Sequence, residues 1–192
     1  TKMKGDVNAN KSKVNVGGFQ NTQSSASNFK FKANTNMQGD IKANKSNVSV
    51  GGIKVKDSKV VGSTVEANTK MQGDINANKS NVKVGGVSLE NAQLKGSEIK
   101  DNTNMKGDIK ANKSNVTVGG VDLKNVDINN SRLTTNTKMV GDINANKSDV
   151  NVGGIKAKGY WMQNVDIKAN TDAKGDIKAN KSDVNIGGAK FD

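Results

Sequence analysis

"GDIKANKSNVSVGGIKV" (residues 39–55) holds the pattern that decides the fold. Ile41 and Ala43 alternate with Lys42. Ser46, Val48 and Val50 alternate with Asn47 and Ser49, and Ile53 and Val55 flank Lys54. A period of two marks strands with one buried face, because successive side chains on an extended backbone point to opposite sides. No window has the i, i+3, i+4 apolar spacing of a helix. Two-residue breaks, Asn44-Lys45 and Gly51-Gly52, separate the strands. Glycine and asparagine tolerate the positive φ of a tight corner.

The stretch recurs in strict register. Its first eight residues read "GDVNANKS" at 5–12, "GDINANKS" at 73–80 and 141–148, and "GDIKANKS" at 107–114 and 175–182. Thr1, Thr35, Thr69, Thr103, Thr137 and Thr171 are each 34 residues apart, which gives five full repeats and a sixth that stops at Asp192. A weaker period lies inside the first. Shifting by 17 carries Ile41, Ala43, Ser46, Val48 and Val50 onto Ser58, Val60, Ser63, Val65 and Ala67. Each repeat therefore reads as two coils of about 17 residues, one strict and one variable.

The expected fold is all-β: a single tandem-repeat domain over residues 1–192, a β-solenoid of six 34-residue repeats with two coils per repeat and uncapped ends. At a rise of about 4.8 Å per coil, about 11 coils make a rod on the order of 50–55 Å long.

Composition agrees with such a rod. Only 32% of the 192 residues are apolar and 3% aromatic, too few for a conventional globular core. Low hydrophobicity with a net charge of +12 is also the mark of disorder. A solenoid tolerates it because each coil buries a narrow stripe against its neighbours. The chain has no cysteine, histidine or proline. That removes disulfides, thiolate metal sites and the commonest acid–base group. No window approaches the roughly 18 apolar residues of a membrane span. The sequence opens on Thr1 with no initiator methionine or signal peptide, as expected of a processed mature chain and equally of a trimmed fragment.

In a stack of coils every repeated residue becomes a ladder. Asn10, Asn44, Asn78, Asn112, Asn146 and Asn180 form one asparagine column, and Asn34, Asn68, Asn102, Asn136 and Asn170 a second. Stacked amides can hydrogen-bond along the axis. Asn10-Lys11-Ser12 also fits a glycosylation sequon, but six copies at a corner favour the structural role. The pairs Gly17-Gly18, Gly51-Gly52, Gly85-Gly86, Gly119-Gly120, Gly153-Gly154 and Gly187-Gly188 read as corners. They lack the lysine–serine sequel and the helix of a phosphate-binding loop. One Gly-Asp per repeat is too sparse for a calcium-binding roll.

Asp6, Asp40, Asp74, Asp108, Asp142 and Asp176 form a charge column, as do Lys11, Lys45, Lys79, Lys113, Lys147 and Lys181. With two coils per repeat, like charges are expected about 9.6 Å apart, which halves their repulsion relative to adjacent coils. Equal copies offer no local cluster for catalysis, so no enzyme activity, cofactor or metal is expected. The departures from the repeat are Phe19, Phe29, Phe31, Arg132, Tyr160 and Trp161. By alternation Tyr160 points in and Trp161 out.

Uncapped coils expose strand edges that template further pairing, and a head-to-tail contact that does not close makes a filament. In its tandem repeats, its Asn and Gly corners, its small alternating apolar residues and its lack of Cys and Pro, the whole chain resembles bacterial functional amyloids and extracellular β-solenoid fibre subunits, of which curli is one. "QGDINA" (72–77) approximates part of a curli repeat. The resemblance implies secretion, self-assembly outside the cell and a matrix or adhesive role. The expected function is a self-assembling subunit of an extracellular or cell-surface filament, with itself as partner. The alternative is the repetitive stalk or adhesin region of a surface protein that binds DNA, acidic polysaccharide or other glycans through its excess lysine.

Overall fold

The computed structural model describes residues 1–191; Asp192 lies outside the described residues. Among these, the chain forms 27 strands and no helix. One coil takes the strands Lys30–Gln38, Ile41–Asn44, Asn47–Val50, Ile53–Lys56 and Lys59–Val61 in turn, then re-enters the wide face at Thr64–Gln72. In later coils the last two short strands run together, as in Val121–Asn129.

Every pairing is parallel and joins a residue to its counterpart 34 positions on: Asn34 to Asn68, Ile41 to Ile75, Val48 to Val82, Ile53 to Val87, Val60 to Leu94. The chain is a β-solenoid with 34 residues per coil. This corrects the expectation of two stacked coils per repeat. The wide face carries six strands, so the rod has about six coils and an axial length of about 27 Å, half of what 17-residue coils would give.

The 17-residue period has a different meaning. Buried side chains fall into two separate clusters. One is built from Met37, Ile41, Ala43, Val48 and Val50 and their equivalents in other coils. The other is built from Ile53, Val55, Val60, Val65 and Ala67 and theirs. Each coil is thus pinched into two lobes side by side, and a shift of 17 carries one lobe onto the other.

The pinch lies where the Gly-Gly corner meets the threonine column across the coil. Gly52 N–H donates to Thr69 Oγ1 at 3.1 Å, and Gly120 N–H to Thr137 Oγ1 at 3.2 Å. Gly51 sits at φ +65°, and a Cβ there would fall on the Thr69 hydroxyl. A Cβ on Gly52 would lie 2.7 Å from the Gly85 carbonyl oxygen of the next coil. Two glycines are needed because one faces the waist and the other faces along the axis.

The strict half of the repeat builds the first lobe and the variable half the second. The first lobe stacks nearly identical residues, so its packing repeats from coil to coil. In the second, Phe19, Phe29 and Phe31 pack together in the first coil, with ring centroids 4.6 Å apart for Phe19 and Phe31. Tyr160 follows the buried Val126 in register but, unlike the expected inward residue, is itself 41% exposed and meets Phe191 edge-on at 5.7 Å; Trp161 follows the exposed Asp127 and is exposed as well.

Candidate functional surfaces

The first asparagine ladder is continuous. Asn44 Nδ2 donates to Asn10 Oδ1 at 3.2 Å, and the links continue through Asn78, Asn112, Asn146 and Asn180 at 3.2–3.3 Å. The second runs from Asn34 through Asn68, Asn102, Asn136 and Asn170 at 2.8–3.0 Å. It stands on the wide face beside a shallow trough of about 840 Å³, whose other wall includes Lys2, Lys70 and Lys138.

Further ladders were not singled out from the sequence. At the corner after the first asparagine column, Ser46 Oγ donates to the Asn44 carbonyl at 2.8 Å and accepts the Ser12 N–H at 3.2 Å, a pattern repeated at Ser80, Ser114 and Ser148. These serines are buried, so the bonds satisfy groups that water cannot reach. Asn91 bonds to Asp57 and Asn125 to Asn91 in the variable half. The available signal was a polar residue recurring after one full repeat.

The aspartate column is not spaced out as expected. Asp40 stacks directly on Asp6 and under Asp74, because the coil is 34 residues long. Each carboxylate accepts the next aspartate's backbone N–H: Asp40 N–H to Asp6 Oδ1 and Asp74 N–H to Asp40 Oδ1, both at 2.9 Å. Neighbouring charges about 4.8 Å apart repel by about 0.9 kcal/mol in water. A hydrogen bond to a charged acceptor contributes about 1.5–3 kcal/mol, so the ladder is favourable without any intervening coil.

The lysine column stacks equally closely. All six lysines are exposed and adopt φ of 48–51°. The same left-handed geometry recurs at the corners of the variable half, where it is filled by Gln23, Asn28, Asp57, Gly62, Asn91 and Gly96 among others. Left-handed backbone costs most L-residues about 1–2 kcal/mol and glycine almost nothing. The backbone therefore does not select lysine; six corners carry it against local preference.

Outside the pinch, two outward columns flank a seam above the Gly-Gly corners. One runs Asn15, Ser49, Lys83, Thr117 and Asn151, the other Gln20, Lys54, Ser88, Asp122 and Lys156. Asn15, Ser49, Lys83 and Thr117 of the one and Gln20, Lys54 and Ser88 of the other line a groove of about 550 Å³. Lys83 is half-buried in it. Burial holds its ammonium below the usual lysine range, opposed by the charges of Asp122 and Asp101 and assisted by that of Lys54.

Asp101 lies on the inner side of the same pinch, where other coils have Ala33, Ala67, Thr135 and Ala169. It is fully buried. Its Oδ2 accepts from Gly86 N–H at 2.9 Å and from Thr103 Oγ1 at 2.7 Å, while Oδ1 has no partner. Burial pushes its carboxyl up to about 6, against the two hydrogen bonds and the Lys83 charge, which pull it down. The sequence signalled this pair only as two oddities in otherwise uncharged columns.

Among the described residues no group of three or more carboxylates stands close enough to hold a metal ion, and no helix is long and apolar enough to cross a membrane. Compared with known proteins, the chain matches no family model, no curated protein and no solved structure.

Proposed function

We propose that the chain is a structural, self-assembling subunit of an extracellular filament that grows by stacking coil on coil. The observation that carries this reading is the pairing of every strand, parallel and in register, with its own copy one repeat away. The upper edge of a coil presents the donors, acceptors and amide ladders that fit the lower edge of any coil of the same repeat. A second molecule can supply that coil as well as the same chain can, and such a contact is head to tail and open-ended. The extracellular setting rests on the resemblance to secreted fibre subunits. Negative-stain microscopy and fibre diffraction of the purified chain test the reading. Long filaments with a meridional spacing near 4.8 Å are expected; a monodisperse monomer at high concentration overturns it.

A second reading, a stalk or adhesin region that binds polyanions, has its own support in the lysine ladder. Six exposed cations stand in line on corners where the backbone favours other residues. Binding through the ladder would weaken linearly in a log–log plot against salt. Affinity for DNA or an acidic polysaccharide that is unchanged at high salt overturns it.

A further inference from the structure

The seam differs along its length. Toward the C-terminal end, Asp149 and Asp183 share a groove with Lys156 and Lys190. The part bounded by the first four coils is lined by Lys13, Lys54 and Lys83 and by no carboxylate. Within it, Ser49, Lys83 and Thr117 follow one another in adjacent coils on one wall. Lys54 and Ser88 do so on the other wall. No hydrogen bond or ion pair to another protein group engages the hydroxyls of Ser49, Ser88 and Thr117 or the ammoniums of Lys54 and Lys83 among the described residues.

We propose that this part of the seam is an oxyanion site, in which Lys54, Lys83 and the hydroxyls of Ser49, Ser88 and Thr117 hold a sulfate or phosphate group. The groove brings two cations and three hydroxyl donors to adjacent rungs, about 4.8 Å apart along each wall. A tetrahedral oxyanion has acceptor oxygens on all sides and can take donors from both walls at once. Lys83 is the central residue. It stands half-buried between the groove walls, and the opposing charges that act on it, Asp122 and Asp101, flank the site rather than line it. A buried charge without a bonded partner is costly, and a bound anion removes that cost.

The anion can be a free ion or an ester group on a polymer, and the test separates the two. The full chain is titrated with inorganic sulfate, inorganic phosphate and dextran sulfate at mildly acidic pH, with the lysine Cε resonances as the readout. Lys83→Met keeps the length of the stem and removes the charge; Ser88→Ala removes one donor with little effect on folding; Lys113→Met removes a corner cation far from the seam. Saturable shifts at Lys54 and Lys83 with inorganic sulfate or phosphate are expected. Loss of a charge-assisted bond is expected to weaken binding about tenfold or more in Lys83→Met. Ser88→Ala is expected to weaken it less, and Lys113→Met not at all. Tighter binding of dextran sulfate with the same dependence on Lys83 identifies a polymeric source; equal dependence with no gain identifies a free ion. Shifts that do not saturate, or binding equally reduced by Lys113→Met, overturn the site.

Discussion

The Thr69 hydroxyl accepts the backbone N–H of Gly52, 17 residues away, at 3.1 Å. Those two positions are equivalent under the half-repeat, so the bond ties the lobes of one coil at the point where each passes into the other. Thr69→Val keeps the shape of the side chain but leaves the buried Gly52 N–H unpaired. It is expected to cost about 1–3 kcal/mol, read from urea unfolding. Gly51→Ala adds left-handed strain and a collision with the same hydroxyl, and is expected to cost about 2–4 kcal/mol.

The Asp101 carboxyl gives the rod a pH dependence of definite sign. Its pKa is raised to about 6 in the folded chain from an ordinary value of 3.8. Between those values the folded state holds more protons than the unfolded state, so stability falls as pH rises. The loss is complete above the folded pKa and is at most about 3 kcal/mol. Asp101→Ala gives the residue of the preceding coil, Ala67, and Thr103 still accepts the Gly86 N–H, at 3.2 Å. That variant is expected to be the more stable at neutral pH and to lose most of the dependence, as measured by thermal unfolding across the acid range.

Asn112 sits mid-ladder, donating to Asn78 and accepting from Asn146. Asn112→Ala breaks both links. With a net contribution of about 0.5–1.5 kcal/mol per bond, the loss is expected at about 1–3 kcal/mol by denaturant titration. The same substitution at Asn180, which donates to Asn146, removes one link and is expected to cost about half as much.

Lys113 tests whether the corner lysines are kept for the backbone or for a partner. Lys113→Gly relieves left-handed strain and is expected to stabilise the chain by up to about 1 kcal/mol, offset in part by glycine's greater chain entropy. If polyanions bind along the ladder, the same variant lowers the salt slope by about 0.7–0.9 per lysine removed. A gain in stability with an unchanged salt slope places the polyanion elsewhere.

The alternation at Ile41-Lys42-Ala43, the period of the threonines and the Gly-Gly corners were legible in the sequence because each follows from one strand or one turn. The stacking of the half-repeats was not. Periodicity alone does not say whether two similar halves lie above one another or side by side. The amide ladders held the answer. Shifting the column of Asn44 by 17 meets Ser27, Val61, Lys95, Asn129 and Gln163, which would interrupt the ladder at most alternate rungs. Only the full repeat stacks amide on amide throughout. The seam was illegible for a different reason: Lys83 and Asp101 are 18 residues apart, on strands of opposite faces, and only the pinch brings them to one wall.

Two lobes side by side also give the rod a cross-section broader than it is deep. Resistance to bending rises steeply with depth, so a longer stack of such coils would bend more easily across its thin direction than across its broad one. Such a stack would be mechanically a ribbon, with the wide face running as an unbroken web across both lobes and fixing the plane in which it curves.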